Sequence, residues 1–125
     1  MFAQLVDDAD VPVVVGRAES AADAYAAADL VLFPSTWEGF GNPVIESIAH
    51  RRAIAVGSYP VLDELRAFGV HLLSIDGADE VQAWLHRPDP EVLERNVELV
   101  RPHCSLTDLP QRIDRAFHAA GWDAW

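Results

Sequence analysis

The sequence predicts an α/β fold: a Rossmann-like parallel sheet of about four short strands, followed by helices at the C-terminal end. Short apolar runs alternate with segments at helical spacing, which is typical of parallel strands joined by crossover helices. The runs show no polar alternation, as expected of strands that are covered on both faces. Half of the 125 residues are hydrophobic, enough for one domain with a core.

The first half of the chain contains three of the predicted strands: Val11 to Val15, Leu30 to Phe33 and Ala53 to Val56. Ser20 and Asp23 resemble a capping box that opens an alanine-rich helix ending near Ala28. Asn42 suits an N-cap and Pro43 suits the first helical position, so we expect a second helix from Asn42 to about His50.

The second half is predicted to be mainly helical. Pro60 opens a helix that Gly69 ends, and His71 to Ile75 reads as the fourth strand. Three further helices are expected, the last two capped by Asp89 and Ser105: about Ala78 to His86, Asp89 to Arg101 and Ser105 to Ala120. We therefore expect one partial domain over residues 1–125, with a strand-helix core at about 11–77 and C-terminal helices at about 78–120.

Charge and composition exclude several classes of partner. The net charge is −11 and all nine basic residues are Arg, which argues against nucleic acid because phosphate backbones need a basic face. No apolar run approaches the ~18 residues of a membrane span. The N-terminus lacks the layout of a signal peptide, so we expect a cytoplasmic protein. The single Cys104 has no disulfide partner within the chain and no metal-type spacing.

The turn at residues 34–46 is the strongest functional candidate. Gly39 and Gly41 let a ligand approach the backbone, and a helix N-terminus exposes amides that bind anions. Glu38 and Glu46 add acceptors for hydroxyl groups, so an anionic ligand with a polyol, such as a nucleotide sugar, is indicated. The alternative is an ordinary strand-to-helix turn, since the helix dipole alone favours a carboxylate such as Glu46 by about 0.3–1 kcal/mol.

Other candidate sites have weaker support. Arg17 follows the first predicted strand at the edge where such sheets bind ligands, which makes it the best-placed Arg for a phosphate. Asp8 and Asp10 match a D-x-D metal motif, but within an acidic end that is more simply solvated. The five histidines show no paired spacing of the kind that metal ligands have.

The segment from Ala27 to Ala49 resembles the donor-site segment of retaining GT-B glycosyltransferases of the "glycosyl transferases group 1" family. The hallmark of that family is E-x7-E, here Glu38 and Glu46, with Gly-Phe-Gly after the first Glu. An Ala-Asp pair, a strand and Pro34-Ser35 precede it in the correct order. The resemblance extends over roughly Val11 to Ile75 and implies the C-terminal, donor-binding domain of such an enzyme.

The resemblance implies a role for each residue of the turn. Glu46 would bind the ribose of a nucleotide-sugar donor, and Glu38 would face the hexose and act as the catalytic residue. Backbone amides near Phe40 would meet the sugar or diphosphate, and transfer would need no metal or other cofactor. The predicted donor-binding residues are therefore Glu38, Gly39, Phe40, Gly41, Asn42, Pro43, Val44 and Glu46, with Arg17 added from its position.

The chain also departs from the family pattern. Residues 49–54 lack the Gly and Pro of the usual A-x-G-x-P-V, and the Arg and Lys that grip the diphosphate have no counterpart. We therefore expect an isolated chain with little turnover, and a sheet edge covered by repacking, by a homodimer or by a partner chain. The alternative is a non-catalytic nucleotide-binding or protein-interaction module. A receiver-like domain is disfavoured because the chain has no Lys.

Overall fold

A computed structural model describes residues 11–122, whose centre is a parallel three-stranded sheet. The strands are β1 (Leu30–Phe33), β2 (Ala53–Val56) and β3 (Leu73–Ser74), in the order β1-β2-β3. Every pairing is parallel, with Phe33 opposite Val56 and Val56 opposite Ser74. The three carboxyl ends therefore open at one edge of the sheet, and the α/β fold class predicted from the sequence is confirmed.

Six helices accompany the sheet within the described residues: α1 (Ala21–Ala27), α2 (Asn42–Ala49), α3 (Leu62–Ala67), α4 (Ala78–His86), α5 (Pro90–Cys104) and α6 (Leu109–Ala119). Two predicted caps are confirmed. The Ser20 hydroxyl accepts from the Asp23 amide at 3.1 Å, and the Asp89 carboxylate accepts from the Glu91 amide at 3.0 Å. These short-range contacts explain why the sequence located the starts of α1 and α5.

Several predicted element boundaries are wrong. Val11 to Val15 forms no strand and lies exposed, outside the sheet, so the described residues contain three strands rather than about four. The fourth predicted strand, His71 to Ile75, shortens to the two residues of β3. Ser105 ends α5 instead of opening α6, because its amide donates to the Arg101 carbonyl at 3.0 Å.

The main core lies between the sheet and helices α2 and α3. Its buried members lie on α2, β2, α3 and α5 and in the loops on either side of α3: Val44, Ile48, Ile54, Val56, Tyr59, Leu62, Leu65, Val70 and Val100. The other face of the sheet carries a smaller cluster around Ala55 and Leu73, packed against α4 and α5 through Trp84 and Leu93. The sheet is therefore packed on both of its faces.

The two longer strands differ in burial. All four residues of β2 are buried, whereas Leu32 of β1 is 64% exposed. We expected both strands to be covered on both faces, and that prediction is wrong for β1. The physical reason is that no described element packs over Leu32 on that face of β1.

Asn96 of α5 anchors the start of the third strand. Its amide group donates to the His71 carbonyl and its side-chain oxygen accepts from the His71 amide, both at 2.8 Å. The buried side chain of Asn96 therefore has a hydrogen-bond partner both for its donor and for its acceptor.

None of the helices within residues 11–122 has the length and apolarity that a membrane crossing would need.

Candidate functional site at the carboxyl edge of the sheet

The turn between β1 and α2 is held at both of its ends. The Gly57 amide, just after β2, donates to the Phe33 carbonyl at 3.0 Å. A Cβ on Gly57 would overlap the Ser35 carbonyl oxygen, so the two loops approach as closely as backbone allows. At the other end the Val44 amide donates to the Gly41 carbonyl at 2.9 Å and begins the helix.

Gly41 is the N-cap of α2, a position that we predicted for Asn42. Its φ is 78°, in the left-handed region that favours glycine. A Cβ there would also overlap the hydroxyl oxygen of Tyr59. Asn42 and Pro43 therefore move into the first turn of the helix, because only glycine fits where the chain reverses.

Glu38 occupies the middle of the turn and is half-buried. Its Oε1 accepts a hydrogen bond from the Ser35 hydroxyl at 2.7 Å, and that hydroxyl lies 3.1 Å from the Trp37 carbonyl oxygen. The carboxylate borders an open cavity of about 280 Å³. The cavity is lined by Phe33, Glu38, Phe40, Gly41, Asn42 and Pro43. Five of the predicted site residues thus meet around one space.

Glu46 lies on the side of α2 that faces α1. It is exposed, and its Oε2 accepts a hydrogen bond from the Tyr25 hydroxyl at 3.0 Å. The same hydroxyl lies 3.4 Å from the Pro43 carbonyl oxygen. Burial, then the hydrogen bond to Glu46 and its charge, raise the pKa of Tyr25 to about 12. The phenol therefore stays a neutral donor throughout the neutral pH range.

Tyr59 lies on the opposite side of the turn. It is 4% exposed, and its hydroxyl has no hydrogen-bond partner among the described residues. Its ring meets Phe33 edge to face at 6.4 Å between centroids. Burial, and secondarily the charge of Glu38, raise the pKa of Tyr59. The hydroxyl is therefore a neutral, buried group directly against the Gly41 backbone.

Neither tyrosine was identified from the sequence. They are the only two tyrosines of the chain. Tyr25 is the only large residue of its helix, and that pattern could have indicated a specific contact. What the sequence could not indicate is that both hydroxyl groups converge on the same turn, since they come from α1 and from the loop after β2.

The remaining predicted residues are placed less centrally. Gly39 lies in the turn with open space around its Cβ position, and Val44 is fully buried in the main core. Arg17 is exposed and does not line the cavity. Its predicted placement assumed a strand before it, and that strand does not form. The D-x-D residues Asp8 and Asp10 lie outside the described part of the chain.

Comparisons with known proteins extend this description. The profile of the family described as glycosyl transferases group 1 matches residues 3–100. A mannosylglucosylglycerate synthase from Petrotoga mobilis is 29% identical over 79 residues, 62% of this chain and 18% of the relative. A protein of the same name from Thermotoga maritima is 31% identical over 75 residues, 59% and 18% respectively. No solved structure matches significantly.

The chain thus spans less than a fifth of the length of these curated relatives. The match nevertheless covers the whole region that builds the candidate site, from α1 to β3 and beyond. The parallel sheet, the turn at residues 34–41 (the glycine turn) and both Glu38 and Glu46 lie within the matched residues. The chain belongs to the glycosyl transferases group 1 family.

Proposed function

We propose that this chain supplies part of the donor site of a glycosyltransferase that moves a hexose from a nucleotide-sugar to an acceptor hydroxyl with retention. One observation carries the proposal: a glycine turn leads from a parallel strand into a helix N-terminus, with one carboxylate in the turn and a second on the helix. Such a turn favours an anion, and carboxylates favour hydroxyl groups. A sugar linked to a nucleoside diphosphate has both.

In this proposal Glu46 accepts hydrogen bonds from the ribose hydroxyls. Its Oε2 is already engaged by Tyr25, while Oε1 has no hydrogen bond within the described residues. The side chain is exposed, so a ligand has access to that oxygen. A carboxylate held at one oxygen and open at the other suits a fixed polar contact.

Glu38 takes the hexose side of the proposed site. It borders the cavity together with the turn backbone, where the amides of Phe40 and Gly41 donate to no acceptor in the described structure. Those amides and the N-terminus of α2 would stabilise the negative charge of the departing diphosphate. The proposed transfer uses no metal.

A second candidate is nucleotide binding without catalysis. It is favoured by the lining of the cavity, which includes no Arg to neutralise a diphosphate. Sugar transfer by the purified chain, followed with a radiolabelled donor and a mixture of acceptor alcohols, tests this second candidate. Product above a protein-free blank excludes the non-catalytic module.

Substitution of Glu46 tests the proposed site directly. We expect Glu46→Ala to weaken nucleotide-sugar binding by about 10- to 100-fold, since a charged hydrogen-bond acceptor is lost. Saturation-transfer NMR with UDP-, GDP- and ADP-sugars identifies the bound donor, and calorimetry gives its affinity.

The matched control for this experiment is Glu98→Ala. It removes the same charge from an exposed position on α5, and it should leave binding unchanged. If Glu46→Ala binds the donor as tightly as the unmodified chain, the assignment of the ribose contact is wrong.

A further inference from the structure

Tyr25 links two helices that the sequence separates. Tyr25 is the buried residue of α1, and its hydroxyl reaches Glu46 Oε2 on α2 at 3.0 Å, across 21 positions of sequence. The Pro43 carbonyl oxygen, at 3.4 Å, lies beside the same hydroxyl. The phenol is thus directed at the first turns of α2, where the proposed donor contacts begin.

The far end of α2 holds Tyr25 in this orientation. The His50 ring stacks on the Tyr25 ring at 5.1 Å between centroids, with planes 10° apart. Arg52 Nε donates to the Tyr25 carbonyl at 2.7 Å, and its Nη2 donates to the Ala26 carbonyl at 3.1 Å. Two residues that follow α2 therefore hold Tyr25: His50 contacts its ring and Arg52 contacts its backbone.

We propose that Tyr25 is a positioning residue for Glu46: its hydroxyl holds one carboxylate oxygen so that the other is presented to the ligand. The inference rests on the proposed function, because it assigns Tyr25 to the same donor site. An exposed glutamate otherwise samples several rotamers, and a ligand that must immobilise it binds less tightly. Tyr25 removes part of that cost before the ligand arrives.

The hydrogen bond could instead serve only to dock α1 on α2. A double-mutant cycle separates the two roles, because residues that act through one another give non-additive effects. The four proteins are the unmodified chain, Tyr25→Phe, Glu46→Ala and the double variant. Phenylalanine keeps the ring on His50 and removes the hydroxyl alone, so the packing of α1 is preserved.

Binding of UDP-glucose, GDP-mannose and ADP-glucose is measured by calorimetry for each protein. We expect Tyr25→Phe to weaken binding by about 3- to 10-fold, as for loss of one hydrogen bond. In the Glu46→Ala background the same change should have no further effect. Glu98→Ala on α5 is again the control, since it changes an exposed residue that does not line the cavity.

Each outcome has one meaning. Unchanged affinity in Tyr25→Phe, with loss in Glu46→Ala, overturns the positioning role and leaves the proposed function intact. Additive losses show that Tyr25 acts independently of Glu46 and also overturn the proposal. Absence of binding in the unmodified chain overturns the proposed function and the inference together.

A second readout needs no ligand. In Tyr59→Phe protein, Tyr25 is the only tyrosine, so absorbance at alkaline pH follows its titration alone. Adding Glu46→Ala should lower the pKa of Tyr25, because the hydrogen bond and the carboxylate charge both raise it. An unchanged titration would show that the contact is absent in solution and would overturn the positioning role.

Discussion

A buried tyrosine lies on each side of the glycine turn: Tyr25 of α1 on one side and Tyr59, which follows β2, on the other. The two hydroxyl groups differ in their hydrogen bonding. On the α1 side, the Tyr25 hydroxyl donates to Glu46 and lies beside the Pro43 carbonyl. On the β2 side, the Tyr59 hydroxyl has no partner among the described residues and lies against Gly41. One side is therefore organised by hydrogen bonds and the other by close packing.

This difference separates what each side contributes to the site. A hydrogen bond to a carboxylate sets the direction of a side chain that can meet a ligand. A buried hydroxyl without a partner costs free energy, but here it fills the space that a side chain at Gly41 would occupy. We infer that the α1 side orients Glu46, while the β2 side shapes the backbone of the turn.

The largest expected loss of stability comes from a substitution at Gly41, which is packed against Tyr59. Gly41→Ala should destabilise the fold by about 2–4 kcal/mol, because it adds left-handed strain to an overlap with the Tyr59 hydroxyl. Urea denaturation measures the loss. Gly39→Ala is the control, since its Cβ would meet nothing within 4 Å. Equal losses in the two variants would contradict the close approach to Tyr59.

The contribution of Tyr25 to the stability of the folded state should depend on pH in alkaline solution. The folded pKa of Tyr25 is raised to about 12, above its ordinary value of 10.0, so the folded state favours the neutral phenol. This stabilisation is present below pH 10 and is lost as the pH rises from about 10 to 12. We expect this stabilisation of the folded state to reach roughly 1–2 kcal/mol, which is less than the whole pKa difference between the folded and unfolded states would give.

Urea midpoints of the unmodified chain and Tyr25→Phe, measured between pH 8 and 12, test this expectation. The advantage of the unmodified chain should shrink above pH 10, since only tyrosine has a proton to lose. Parallel curves over the whole range would show that Tyr25 is not protected in the folded state. The pKa of Tyr59 is raised as well, so both proteins share that second contribution.

The smallest expected effect is Tyr59→Phe. Because the hydroxyl has no partner in the described structure, we expect a change in the free energy of unfolding between zero and about 1 kcal/mol of added stability. In this background Gly41→Ala should also cost less, since the overlapping oxygen is gone. A loss of 1 kcal/mol or more in Tyr59→Phe would reveal an acceptor for the hydroxyl.

The sequence predicted the parts of the fold that depend on neighbouring residues. The Ser20 and Asp89 caps, the strand β2 and the bounds of α4 all follow from local signals, and they match the structure. Val11 to Val15 shows the limit of such reasoning. It is as apolar as β2, yet it forms no strand, because a strand needs a neighbour to pair with.

The sequence by itself determined the glycine turn, the spacing of Glu38 and Glu46 and the family resemblance that they carry. Only the tertiary structure decided that Tyr25 meets Glu46 and that Tyr59 packs on Gly41. Spacing along the chain specifies contacts within one turn or helix. Contacts between elements depend on how helices pack on the sheet, and hydrophobic burial, which drives that packing, has no direction of its own.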